Sequence, residues 1–334
     1  MRFAAIDIGS NAVRLLIADI LRKDNKISYT KNTLLRVPLR LGDDAFVDKK
    51  ISPAKFEDMV KTMRAFKDLL DVYKVSDYIA CATSAMRDSE NGAQVVAACK
   101  EVGIDIKIID GGLEAKIIYN AYLSGIMDKD KVYLYIDVGG GSTEISLFAN
   151  GELKGSRSFN LGTIRILDNQ DTPETWQDMR VWVKDITKGY KDIYGIGTGG
   201  NINKLSRIAN KGEDKPFSYA KLKAIYDHLN SYSLKDRIHD LGLRSDRADV
   251  IIPAAEIFLT IMKSGHLKNI VAPRVGLVDG IIQQLVQKNY AKILKTFYGD
   301  KTMDEMKNTK WDKRFLEMAC QVASWSSCYQ TNRQ

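Results

Sequence analysis

One short string occurs twice in this chain, and it is the feature that most restricts the fold. Ile6-Asp7-Ile8-Gly9-Ser10-Asn11 opens the sequence, and Ile136-Asp137-Val138-Gly139-Gly140-Gly141-Ser142-Thr143 follows a polar connector at Met127-Asp128-Lys129-Asp130-Lys131. Each string is an apolar run ending in aspartate, then a glycine turn, then a second apolar run. A repeat of this kind calls for two copies of one supersecondary unit, and two such units imply a cleft between them. The expected division is a first unit over residues 1–127, a second over 128–300 and a C-terminal extension over 301–334.

The runs around the strings read as alternating layers. Strands are expected at Phe3 to Ile8, Val13 to Ile20 and Ile27 to Val37, with Gly9-Ser10 and Asn25 at the turns. Ser52 as N-cap and Pro53 as first residue predict a helix to about Tyr73. Met59, Met63, Phe66, Leu69 and Leu70 recur on its core face. A strand at 77–82, a helix at 91–102, a strand at 104–109 and a helix at 113–123 should follow. After the connector come strands at 132–138 and 144–149, an Asn150-Gly151 turn, a strand at 152–159, a helix near 174–191 and a strand at 193–197. Mostly helical sequence then runs to Tyr290. Strands followed by alternating helices and strands indicate an α/β layer fold.

Glycine clusters occur in several kinds of phosphate loop, and the flanking structure separates them. A dinucleotide fingerprint or a Walker loop needs its glycines to open a helix. Here Gly139-Gly140-Gly141 lead into the alternating run Ser142 to Phe148, so they join two strands. Without side chains they let a phosphate approach backbone N–H groups, with hydroxyls of Ser142 and Thr143 as further donors. Asp137 ends the first strand, where a carboxylate suits a hard cation such as Mg²⁺ or another divalent ion. Asp7 repeats this position, with Ser10 and Asn11 as donors. A single glycine hairpin is best read as a tight turn, but two with aspartate at the same offset point to a phosphate ligand. A third cluster, Gly195-Ile196-Gly197-Thr198-Gly199-Gly200-Asn201, enters a helix at 202–208, where amides favour an anion or a ribose hydroxyl.

Composition narrows the setting. Hydrophobic residues make up 45% and charged residues 28%, the balance of a soluble globular chain. No apolar stretch is long enough to span a membrane, and Asp7 interrupts the run that a signal peptide would need. The net charge of +8 suits a polyanion. No aromatic and basic interleaving suggests nucleic-acid binding. Cys81, Cys99, Cys320 and Cys328 form no CxxC pair, and the three histidines lie apart, so a reducing cytoplasm without a zinc site is expected. Cys81 lies in an apolar run and is expected in the core.

Taken together, the motifs resemble those of the sugar kinase, Hsp70 and actin superfamily, with its duplicated ribonuclease H-like domains. Within it the chain is similar to the exopolyphosphatase and guanosine pentaphosphate phosphohydrolase family, in a short two-domain form. The matching pieces, in family order, are Ala5 to Asn11, Thr83-Ser84-Ala85-Met86-Arg87, Gly112-Leu113-Glu114-Ala115-Lys116, Asp137 to Glu144, and Gly197-Thr198-Gly199-Gly200. The resemblance implies that Glu114 deprotonates the attacking water, that Asp137 and Glu144 belong to a metal site, and that Arg87 clamps phosphate. Gly199 and Gly200 would join the other loops in phosphate binding. The chain departs from the family pattern at Leu113 and Lys116, at Asn203 where a lysine is usual, and in Ala272 to Gly280, which lacks an arginine two residues before the final glycine.

The function this implies is hydrolysis of terminal phosphate from inorganic polyphosphate. Guanosine pentaphosphate is the alternative substrate. A kinase of the same superfamily and a polyphosphate or nucleotide sensor with little turnover are the competing classes. Association into a homodimer is left open.

Overall fold

The computed structural model describes residues 1–298, apart from 24–25, 115, 119–127, 129, 211–214 and 274. Asn25, Arg274, the end of the helix expected at 113–123 and the extension at 301–334 lie outside the described residues.

Two sheets carry the molecule, and they share one topology. In the first, β1 (Arg2–Ile8), β2 (Val13–Lys23), β3 (Lys26–Val37), β4 (Asp77–Ala82) and β5 (Ile106–Ile108) lie in the order β3-β2-β1-β4-β5. The second adds β6 (Val132–Val138), β7 (Thr143–Ala149), β8 (Glu152–Phe159), β9 (Ile193–Thr198), β10 (Phe217–Ser218) and β11 (Asn269–Val271), ordered β10-β11-β9-β6-β7-β8. In both, an antiparallel meander of three strands is extended by parallel strands beside its first member, and in the second sheet β10 adds antiparallel to β11. Even the register shift recurs, between Ile17 and Ala18 in one copy and Leu147 and Phe148 in the other. A bulge kept at one place in both copies is a feature of the duplicated unit, because it sets strand bend and twist. The fold is thus a duplicated α/β architecture, as the resemblance to the actin, Hsp70 and sugar kinase superfamily implies.

Central strands are covered on both faces, so they read as apolar runs rather than strict alternation. β7 is buried along its whole length, and β1 is buried from Phe3 on. The helix Pro53–Val72 begins as expected, with the Ser52 hydroxyl accepting from the Lys55 N–H at 3.5 Å. It buries Met59, Met63, Phe66 and Leu70, while Leu69 is only half-buried. Asn150 and Gly151 take φ of 55° and 73°, the left-handed pair that a two-residue hairpin turn demands. Cys81 and Cys99 are buried in the core, which pushes both thiols up to about 12.

The helix Ile251–Ser264 is the spine of the second half. Its buried residues include Ile251, Ala254, Ile257, Phe258 and Ile261, and it packs on the helices 163–167, 173–187, 200–210 and 219–230. The helix Leu277–Lys288, by contrast, returns to pack on β1, β2 and β4 of the first sheet. Chain order and spatial grouping therefore separate at that point.

Some short elements differ from expectation. The helices Leu41–Val47, Ser84–Arg87 and Thr163–Leu167, and the strands β10 and β11, have too few residues to show a period. The helix expected at 174–191 stops at Thr187, two residues before Gly189 at φ +86°. The third glycine cluster enters its helix at Gly200 rather than 202, directly after Gly199 at φ +103°.

Candidate active site

Both glycine turns are built alike. Gly9 N–H bonds to Ala12 O at 3.2 Å and Gly139 N–H to Ser142 O at 2.9 Å, so each loop is a closed turn between antiparallel strands. A short helix then grips each loop by its carbonyls. Gly42 N–H bonds to Ser10 O and Arg40 N–H to Asn11 O, at 2.9 and 3.1 Å. Arg40 takes a left-handed φ of 50°, unusual for a residue with a side chain, and its guanidinium is fixed by Asp43 and Asp249. In the second copy Thr163 N–H bonds to Gly139 O at 3.0 Å and Ile164 N–H to Gly140 O at 2.8 Å.

The two loops touch. A Cβ on Gly140 would fall 2.9 Å from Ser10 Cβ, and one on Gly162 only 2.3 Å from Gly140 O. Both positions need glycine for close approach of backbone. Between the loops lies a cavity of about 400 Å³, lined among others by Asp7, Ser10, Asn11, Glu114, Asp137 and Gly139. Gly140, Ser142, Glu144, Gly199 and Gly200 also line it. Residues from both strings, from the third loop and from the Gly112 to Lys116 segment therefore meet in one place.

Five carboxylates line this cavity, from Asp7, Glu114, Asp137, Glu144 and Asp279, the last paired with Lys31 at 2.7 Å. Asp7 Oδ2 accepts from Arg14 Nη1 at 2.6 Å. Glu144 is held by the Ser158 hydroxyl at 2.8 Å and by that of Ser142, and Gly111 packs so closely that a Cβ there would meet Glu144 Oε1 at 2.6 Å. Burial pushes Asp137 up to about 7, with Glu144 adding to the shift and the Thr198 hydroxyl opposing it. Glu114 is raised well above the usual carboxylate range, first by burial and then by Glu144, Asp137 and Asp7, with Arg87 acting against them. Carboxylates perturbed by one another in a cleft are the mark of a functional site. Among the described residues no three acidic, histidine or cysteine side chains converge on one point. Asp7, Asp137 and Glu144 thus do not form a closed cage.

Beside the carboxylates the lining has a cationic wall, and this wall the sequence reading missed. Arg14 on β2, Lys31 and Arg36 on β3, Arg207 and Arg247 all line the cavity. Arg247 donates to Gly200 O and sits lowered to about 10, by burial first and then by Arg36 and Arg14. Burial likewise lowers Arg36, against its ion pair with Asp246. Cations crowded this closely are relieved by an anion. The signal lay in basic residues placed within otherwise apolar strands, hidden by the even spread of charge along the chain.

Three residues named for phosphate binding stand elsewhere. The Thr143 side chain is fully buried and its hydroxyl donates to Leu161 O at 2.5 Å, so it closes the core beneath the loop. Gly141 packs against Phe46 and Ser84 instead of lining the cavity. Arg87 is outside the lining, with Nη1 donating to Ile109 O at 3.3 Å and Nε to Asp88 at 3.3 Å. Its segment instead contributes Thr83 and Ser84, whose hydroxyl meets that of Ser10 at 2.9 Å. Asn203 also lines the cavity.

The chain is similar to known proteins over most of its length. The model of the Ppx/GppA phosphatase family matches residues 23–289. The chain is 28% identical over 284 residues to the bifunctional 3-dehydroquinate synthase/phosphatase of Fusobacterium nucleatum, covering 78% of this chain but only 43% of that protein. It is 24% identical over 306 residues to exopolyphosphatase 1 of Mycobacterium tuberculosis, covering 84% and 87% respectively. Among solved structures, the Ppx/GppA family member of Aquifex aeolicus superposes with a TM-score of 0.68 at 25% identity, over 86% of this chain and 98% of that one. An exopolyphosphatase of Cytophaga hutchinsonii shares the fold with a TM-score of 0.73 at 22% identity, over the same shares.

Proposed function

The chain belongs to the Ppx/GppA phosphatase family, and from that premise we propose that it removes the terminal phosphate of inorganic polyphosphate by attack of water. The observation that carries this reading is the position of Glu114 on the same cavity as both glycine loops. A kinase needs a phosphate cradle and a base beside an acceptor pocket; a hydrolase needs the cradle and a base aimed at water.

In this reading the N–H groups of the two loops and the cationic wall hold the chain end, which neutralises charge as the terminal phosphoryl group is transferred. Glu114 takes a proton from water as the water oxygen bonds to the terminal phosphorus. The bridging P–O bond breaks, leaving orthophosphate and a chain one unit shorter. A raised basicity suits Glu114 to this task, because a base works best when its pKa lies near the working pH. Asp137, with Asp7 beside it, would hold a divalent cation such as Mg²⁺. The donor set fits, since Mg²⁺ takes one or two carboxylates and completes its shell with phosphate oxygens and water. When bound, the cation supplies charge neutralisation at the phosphate oxygens.

Guanosine pentaphosphate is the second reading, and one observation favours it. Asn203 Oδ1 and Asn11 Oδ1, both on residues lining the cavity, are buried acceptors without a hydrogen-bond partner. An ionised phosphate offers no proton to them, whereas a nucleoside hydroxyl or N–H does. Phosphate release from polyphosphate, guanosine pentaphosphate and ATP, measured side by side with Mg²⁺, tests both. Fastest release from polyphosphate supports the first reading, fastest release from the pentaphosphate supports the second, and release from ATP only with an added acceptor would support a kinase.

We expect the two halves to divide near residue 127, and the protein to act in the cytoplasm. Among the described residues no helix is long and apolar enough to cross a membrane.

A further inference from the structure

A buried arginine outside the cavity completes the second glycine loop. Arg165, 7% exposed, donates from Nε to Gly141 O at 2.7 Å and from Nη2 to Asp88 Oδ2 at 2.6 Å. Its guanidinium carbon lies 4.1 Å from the centre of the Phe46 ring. It therefore joins three parts of the molecule: the loop, the end of the helix Ser84–Arg87, and the helix Leu41–Val47 that carries Phe46.

The geometry of the peptide unit gives this contact its meaning. In a trans peptide, C=O and the following N–H point in opposite directions. Thr163 and Ile164 pull the carbonyls of Gly139 and Gly140 toward their helix, which turns the N–H groups of Gly140 and Gly141 away from it. Arg165 does the same for the Gly141 carbonyl and so directs the N–H of Ser142, a residue of the cavity wall. At the matching position of the first loop, Asn11 O is held by a backbone group, Arg40 N–H. Only in the second loop does a side chain take this role, so a substitution can remove it without changing the backbone.

We propose that Arg165 is the positioning residue of the phosphate cradle, aiming the Ser142 N–H at bound phosphate and tying the loop to Asp88 of the first half. The proposal rests on the reading of the cavity as a phosphate site. An arginine is needed because two donors on one rigid plane serve two acceptors at once while the plane stacks on an aromatic ring. A lysine keeps the charge but serves one acceptor direction at a time.

The test measures calorimetric binding of tripolyphosphate with Mg²⁺, thermal midpoints, and phosphate release for the wild type, Arg165→Lys, Arg165→Gly and Asp88→Asn. Arg165→Lys should stay folded and bind tripolyphosphate about tenfold more weakly, as expected for a lost charge-assisted hydrogen bond. Added guanidinium should restore part of the affinity of Arg165→Gly, an effect that a purely structural role would not give. Folded Arg165→Lys with wild-type affinity, or Arg165→Gly unmoved by guanidinium, overturns the proposal. Where the Arg165 variants fail to fold, Asp88→Asn decides: weaker binding supports the proposal and unchanged affinity overturns it. A wild type that binds tripolyphosphate but releases no phosphate sinks the hydrolase reading alone, and the affinity ratios still judge Arg165. A wild type without measurable binding overturns both.

Discussion

Asp137 on β6 stands opposite Glu144 on β7, the register position that Asp7 and Arg14 hold on β1 and β2. Duplication has thus produced an ion pair at 2.6 Å in one copy and two facing carboxylates in the other. The pair in the first copy is neutralised from within, and the pair in the second carries excess negative charge that an ion or a proton must balance.

That excess has a signature in stability. Asp137 is raised from 3.8 to about 7, so the folded chain keeps a proton that the unfolded chain releases. The sign follows from linkage: the contribution is full below 3.8 and is lost as pH rises through about 7. The cation-free protein should show a thermal midpoint that falls between pH 5 and pH 8 more steeply than that of Asp137→Asn. Scanning calorimetry of the two proteins checks this, and equal slopes would contradict the assignment.

The same excess predicts how a cation binds. Protons compete for Asp137 below about 7, so Mg²⁺ should raise the thermal midpoint more at pH 8 than at pH 5. A chelator should abolish phosphate release, and added Mg²⁺ should restore it. Full activity in excess chelator would remove the divalent ion from the account.

Gly162 offers a steric test of loop contact. A Cβ there would lie 2.3 Å from Gly140 O and 2.6 Å from Gly141 C, both backbone atoms with little room to yield. Gly162→Ala should cost about 2 kcal/mol in urea unfolding, in the range for overpacking, and should weaken tripolyphosphate binding. A variant as stable as the wild type would show that the second loop can move off its helix freely.

How much of this could be read from the sequence depends on what each residue's role leaves in the pattern. The paired strings revealed the duplication and the hairpins, because aspartate and glycine at fixed offsets are costly unless used. Thr143 was misread since its hydroxyl looks identical whether it faces a ligand or, as here, Leu161 O. Arg165 and Arg247 were invisible because each acts through a backbone carbonyl far away in sequence, at Gly141 and Gly200. Such contacts exist only once the fold brings the pieces together.

The two halves are joined across the cationic wall by Arg36 and Asp246, with side chains 15% and 12% exposed. Asn11 Nδ2 adds a bond to Asp246 O at 3.2 Å. A double-mutant cycle of Arg36→Met and Asp246→Asn should give a coupling energy of about 1–2 kcal/mol, as for contacting charged pairs. Additive losses would mean that the pair does not hold the cleft.

Glu114→Gln tests the central claim most directly, because it keeps the shape of the side chain and removes its capacity as a base. Phosphate release from polyphosphate with Mg²⁺ should fall by about a hundredfold to ten-thousandfold, the usual worth of a general base, while tripolyphosphate binds as tightly as to the wild type. Undiminished release from Glu114→Gln would contradict the account and place the base elsewhere.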